Sequence, residues 1–390
     1  MKRKIRIYPT ACRFLAIALT AGLGLSMYGC QGTSGSSNGN RLDASLIRED
    51  NTAAGRASDS DTFGSDAAGS ALSDSTASDL ISSDSTASVT RTEYPLTITT
   101  YGAGGTEYTM VFEKAPERVV AVYQGCIETL LALGLGDRIV AAAGLDNSVP
   151  DSMKNAFSSI NYLDEFTPSK ETVTMLEPDF IFSWSSYFQD DTLGSPKDWS
   201  NSGTNVYINT NTSVQKDSLE NEFNDILNIG KIFDVQDKAE AIVRQMKDTI
   251  AQVKEAAAAQ SEHPSVLIIE NMNGSFTNYG ADSIAGDMVL ELGGTLASPD
   301  ASALGKEDII AANPDVIFVV YMPYAGDDPE SVRQEHLDNI IKDEVFSSLD
   351  AVKNGRVIPI MLSEMYASAT RTQDGIETIA HGLYPELEED

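Results

Sequence analysis

A thirteen-residue frame occurs twice in this 390-residue chain, 136 positions apart. Lys170-Glu171 leads through a mixed stretch to Pro178-Asp179-Phe180-Ile181-Phe182, and Lys306-Glu307 leads at the same spacing to Pro314-Asp315-Val316-Ile317-Phe318. Each copy reads as a Lys-Glu opening a short helix, a Pro-Asp ending it seven residues after the Glu, and an apolar strand. One such unit duplicated at this distance implies two similar halves rather than one enlarged core.

What lies between the copies supports that division. From Asp237 to Ala259 there is no Gly or Pro, and Ala239, Ile242, Val243, Met246, Ile250 and Val253 recur at steps of three and four. This spacing predicts an amphipathic helix of about 35 Å. Strand patterns flank it, at Arg118–Val122 and Arg138–Ala143 on one side and Ser265–Ile269 on the other. A hairpin is expected at Tyr94–Phe112 around a Gly-rich turn, and a helix at Ile127–Leu133 closed by Gly134. The expected fold is α/β: two similar Rossmann-like lobes with central, mostly parallel sheets, joined by a single long helix. The boundaries are 93–235 for the N-terminal lobe, 236–262 for the helix and 263–390 for the C-terminal lobe.

Residues 1–29 read as a signal peptide. A basic start, Lys2 to Arg13, precedes the twelve-residue apolar run Phe14–Leu25, short of the about 20 residues that span a bilayer. Gly29-Cys30 resembles a bacterial lipobox, whose Cys is acylated, although Met27 and Tyr28 stand where Leu and a small residue are usual. An ordinary secretory signal is the alternative. Residues 30–92 follow as a lipidated Cys and a disordered linker: between 31 and 92, 45 of 62 positions are Ser, Ala, Asp, Thr or Gly. Such a coil reaches about 45 Å on average. Export and lipid anchoring to the outer face of the cell membrane are expected. Cys126 then remains the one cysteine of the folded part, and its apolar neighbours Ile127 and Leu130 mark it as a small core residue.

Charge divides the same way. Residues 1–30 contribute +5 and residues 31–92 contribute −5, so the remaining 18 basic and 49 acidic residues hold −31, the net charge of the whole chain. A surface this acidic repels phosphate backbones and anionic head groups, which disfavours nucleic-acid binding and polybasic membrane attachment.

Several short motifs occur in a fixed order: Ala115-Pro116-Glu117-Arg118-Val119-Val120, then Glu128-Thr129-Leu130-Leu131-Ala132-Leu133-Gly134, both Lys-Glu frames, and Gly375-Ile376-Glu377 with Leu383-Tyr384-Pro385. Together they resemble the bacterial ABC-transporter solute-binding proteins for iron–siderophore complexes, haem and cobalamin, from about Tyr94 to the C-terminus. The resemblance implies a monomer without a cofactor that captures a chelate between its lobes. It would deliver that chelate to a permease dimer driven by a separate ATPase. In that family one Glu on each lobe docks against permease arginines, and the matching positions are Glu171 and Glu307. The bland alternative is that a Glu in a first helical turn is worth about 0.3–1 kcal/mol against the helix dipole and was copied with the lobe.

Ligands of such folds sit against loops at strand carboxyl ends. Those loops offer Tyr123 and Gln124, Asp146, Trp184 and Tyr187 on the first lobe, and Asn271, Tyr279, Tyr321, Tyr366 and Arg371 on the second. Flat aromatic side chains suit a large, partly apolar chelate. His263, His336 and His381 are scattered without metal-ligand spacing, so no metal site is expected. Arg371 is the main basic residue of the set, which favours a neutral or weakly charged chelate: a ferric hydroxamate first, a corrinoid next and haem third. Ser213-Val214-Gln215-Lys216 fits the Ser-x-x-Lys motif of acyl enzymes, but its companions Ser-Asp-Asn and Lys-Thr-Gly are absent, and catalysis is not expected. A non-transport surface or sensor lipoprotein is the alternative of another class.

Overall fold

Strands made only of Val, Ile, Ala and Phe need cover on both faces, which a parallel sheet flanked by helices provides. The computed structural model describes residues 91–258 and 263–387. The expected signal peptide, Cys30 and the linker up to residue 90 lie outside the described residues. Arg91 and Thr92, expected to end the linker, are fastened to the domain. Asp234 accepts from the Thr92 backbone N–H at 2.8 Å and pairs with the Arg91 guanidinium at 2.8 Å.

The N-terminal lobe opens with an antiparallel hairpin, β1 (Leu96–Gly102) and β2 (Thr106–Phe112), in the register Leu96 opposite Phe112. Strands β3 (Val119–Val122), β4 (Ile139–Ala143), β5 (Phe180–Ser183) and β6 (Asn205–Ile208) make a parallel sheet of order β4-β3-β5-β6. Every residue of β3 and β5 is buried. Its helices are α1 (Gln124–Ala132), α2 (Lys154–Phe157), α3 (Lys170–Thr174), α4 (Pro196–Asn201) and α5 (Leu219–Ile232). Helix α6 (Gln236–Ala257) then runs between the lobes and buries Ala239, Val243, Met246, Ile250 and Val253 of the expected stripe, with Ile242 half-buried at its edge. Its close approach to α5 depends on Gly230, where an added Cβ would lie 2.5 Å from that of Ala239.

The C-terminal lobe is a mixed six-stranded sheet of β7 (Ser265–Met272), β8 (Ser275–Asn278), β9 (Thr295–Leu296), β10 (Ala303–Leu304), β11 (Val316–Tyr321) and β12 (Val357–Met361). β7, β11 and β12 are parallel, as expected, while β8 and β10 add antiparallel edges. Helices α7 (Ile284–Glu291), α8 (Lys306–Ala312), α9 (Pro329–Ile341), α10 (Asp350–Lys353), α11 (Leu362–Met365) and α12 (Thr372–Leu383) cover it. Both copies of the repeated frame occupy the same place, as α3 leading to β5 and α8 leading to β11. No helix among the described residues is long and apolar enough to cross a membrane.

Two elements differ from expectation near the cleft. Helix α1 begins at Gln124, three residues earlier than its apolar pattern, because Tyr123 turns the chain with φ of 86° straight from β3. Strand β7 continues to Met272 because β8 pairs with its polar end, Asn271 opposite Phe276.

Candidate ligand-binding site

The sharp turn at Tyr123 is held from both sides. Its N–H donates to the Ala143 carbonyl at the end of β4, and a Cβ on Gly144 (φ 81°) would meet the Tyr123 nitrogen at 3.1 Å. The Tyr123 side chain thereby reaches over the lobe edge, where its hydroxyl donates to Asp146 Oδ2. Its ring packs on Trp184, centroids 3.7 Å apart, and on Tyr187 at 6.0 Å. Trp184 in turn meets Tyr366 of the other lobe edge-on at 5.8 Å. Burial pushes the Tyr123 and Tyr187 hydroxyls well above the usual tyrosine range, and the Asp146 charge adds to this, so both stay protonated donors.

Gln124, in the first turn of α1, orders the loop after β4. Its Oε1 accepts from the backbone of Asp146 and Asn147, and its Nε2 donates to Asn147 Oδ1 and to Glu128 Oε1, each at 2.8 Å. Glu128 is fully buried. Its counter-charge comes from Arg371 of the C-terminal lobe, which engages it through Nε at 2.6 Å and Nη2 at 2.7 Å. Arg371 also donates to Ser363 Oγ and to the Ser148 carbonyl. A bidentate ion pair between lobes thus forms one wall of the cleft. Tyr123, Gln124 and Asp146 line it from one lobe, and Met322, Tyr366 and Arg371 from the other.

Of the residues expected at the ligand, five line this space and two, Trp184 and Tyr187, stand behind Tyr123. Tyr279 is not among the lining residues either; its hydroxyl donates to Glu270 at 2.7 Å, and burial first, then the Glu270 carboxylate, pushes its pKa well above the usual tyrosine range. Asn271 and Tyr321 are not among the lining residues. The Asn271 side chain accepts from the Gly274 N–H in the β7–β8 turn, and Tyr321 ends β11 near Glu364 and Arg333, its pKa pushed up to about 12 chiefly by burial. Sequence reading missed Glu128 as a site residue. The signal was available: an acid set among Ile127, Leu130 and Leu131 on a buried helix requires a partner.

The segment Tyr366–Arg371 carries the second lobe onto the first. Ala367 and Ala369 both adopt left-handed φ, 45° and 51°. The Ala367 carbonyl lies 3.1 Å from where a Cβ on Gly125 would stand, and the Ala369 N–H donates to buried Glu222 at 2.5 Å.

Glu171 and Glu307 lie elsewhere, on the exposed first turns of α3 and α8. In each copy the preceding Lys is tied down. Lys170 pairs with Asp198 at 3.1 Å and sits over the Trp199 ring, while Lys306 pairs with Asp343 at 2.5 Å and sits over Phe346. Neither Glu has an ion pair among the described residues. Ser213 lies in no helix, and its hydroxyl donates to the Tyr101 carbonyl, so Ser-x-x-Lys lacks a nucleophile's setting. No group of three or more His, Cys, Asp or Glu among the described residues is arranged to hold a metal.

A family model described as periplasmic binding protein matches residues 119–361. The petrobactin-binding protein YclQ of Bacillus subtilis (strain 168) is 27% identical over 265 residues, covering 65% of this chain and 78% of the relative. YvrC of the same organism, an uncharacterized ABC transporter substrate-binding lipoprotein, is 23% identical over 282 residues, covering 71% and 83%. The crystal structure of a periplasmic binding protein from Veillonella parvula DSM 2008 is 29% identical with a TM-score of 0.70, covering 76% of this chain and 94% of its own. The matched segment runs through both sheets and the helix between them, and the chain belongs to the periplasmic binding protein family.

Proposed function

We propose that this protein is the extracytoplasmic solute-binding lipoprotein of an ABC importer, and that it captures an iron–siderophore-type chelate, a ferric hydroxamate first among them, between its lobes. The carrying observation is the inter-lobe cleft itself: aromatic rings on both sides and one lining cation, already neutralised by Glu128. Relatives named for petrobactin and ferric-anguibactin support an iron chelate as the cargo class. The lobes at 93–235 and 263–390 would close on it with little bending of α6, since a helix is stiffer than a strand pair. Cys30 would carry the lipid and 31–92 the tether. The loaded domain then presents Glu171 and Glu307, one per lobe, to arginines of a permease dimer.

Trp184 reports on the cleft. Titration with a ferric hydroxamate should quench its fluorescence with saturation, and Trp184→Phe should remove that response while buried Trp199 remains. If ferric hydroxamates, ferric catecholates, haem and cobalamin all leave the emission unchanged, the chelate reading fails.

A further inference from the structure

We propose that the cleft selects a chelate bearing a protonated amine, and that Asp146 receives the ammonium. This deepens the reading of the cleft as a chelate site and rests on it. Asp146 is 9% exposed, yet it lines the cleft. Its Oδ2 accepts from the Tyr123 hydroxyl, and no described residue donates to its Oδ1. Burial raises its pKa, the mark of a carboxylate taken out of water without a counter-charge.

No described residue supplies that counter-charge. Arg371 is the single basic lining residue, and its fork is occupied by both oxygens of Glu128. Its remaining donors turn to Ser363 and Ser148. The neighbouring groups also favour a cation. Tyr123, which donates to Asp146, and Tyr366 both line the cleft, and aromatic rings attract ammonium groups. An anionic ligand would meet Asp146 at close range with no free cation among the described lining residues to offset it, whereas an ammonium completes the Oδ1 hydrogen bond as a charge-assisted one.

A matched pair of probes tests this by calorimetry. The ferric complex of desferrioxamine B is a linear trihydroxamate ending in an ammonium, and its N-acetyl derivative keeps the iron centre but replaces the ammonium by a neutral amide. The ammonium form should bind about tenfold tighter, and Asp146→Asn should bring the ratio of the two affinities close to one. Equal or tighter binding of the acetylated form, or a preference for an anionic ferric tricatecholate over both, overturns the inference and leaves the chelate reading standing. Binding of none of these chelates, nor of haem or cobalamin, overturns both. Because the first comparison uses the unaltered protein, it stands even where the Asn variant folds poorly.

Discussion

Glu128 shows how one side chain can join two lobes. Its carboxylate has no access to water, and among the described residues its desolvation is offset by Gln124 on its own helix and by Arg371, 243 positions away. Removing one member of a buried pair is worse than removing both, because the survivor keeps its desolvation penalty. Arg371→Ala should therefore destabilise the protein by about 3–5 kcal/mol, seen as a lower urea midpoint at unchanged slope. Replacing Glu128 and Arg371 together by Met should recover most of that loss. A double variant as unstable as the single one would show that the pair matters through its shape rather than its charge. This also marks the limit of sequence reading at the site. Tyr123, Asp146 and Arg371 were legible because strand ends and terminal loops face the cleft. Their pairing was not, since nothing local in a sequence says which buried acid meets which distant base.

Elements were read most reliably where their signal is local. The two Lys-Glu frames carry their own N-terminal caps and α6 its own periodicity, and they fold where expected. The polar end of β7 becomes strand because β8 folds back on it, a tertiary decision invisible in residues 270–272. The segment Tyr366–Arg371 is likewise held from outside, by Glu222 on α5 accepting from the Ala369 N–H. Burial, with the charge of Asp225 adding to it, raises the Glu222 pKa to about 8, and burial raises Asp225 to about 6 against hydrogen bonds from Thr210 and Tyr207. Unfolded, these groups release their protons near their ordinary values of 4.5 and 3.8. Between about pH 4 and 8 the native state thus holds more protons than the unfolded chain, and stability falls as pH rises. Thermal unfolding should show a lower Tm at pH 8 than at pH 5, by roughly 2–4 °C for each kcal/mol lost. Glu222→Gln should flatten that slope whatever it does to stability at a single pH, and a Tm that rises across the window would contradict the assignment.

For the whole molecule, the repeat and the charge combine into one consequence. Duplicated lobes place two similar carboxylates on one chain, and a symmetric permease dimer offers two equivalent partners. On the proposed docking, the charge of −31 confined to residues 93–390 would bias the approach toward a basic face and away from an anionic bilayer. The lysines beside Glu171 and Glu307 would quench them if left free, but each is held by its own Asp and aromatic ring, so the carboxylates stay available. Truncating one partner of a desolvated interfacial charge pair typically costs about 2–5 kcal/mol. Each of Glu171→Ala and Glu307→Ala should thus lower uptake by at least about tenfold at limiting binding protein. The double variant should lower it further, and the chelate dissociation constant should stay unchanged in all three. Lys170→Ala separates availability from charge: it keeps the carboxylate but loosens the first turn of α3, so its loss of uptake should be smaller than that of Glu171→Ala. Uptake that survives the double substitution at unchanged chelate affinity would move the permease contact to another face of the lobes.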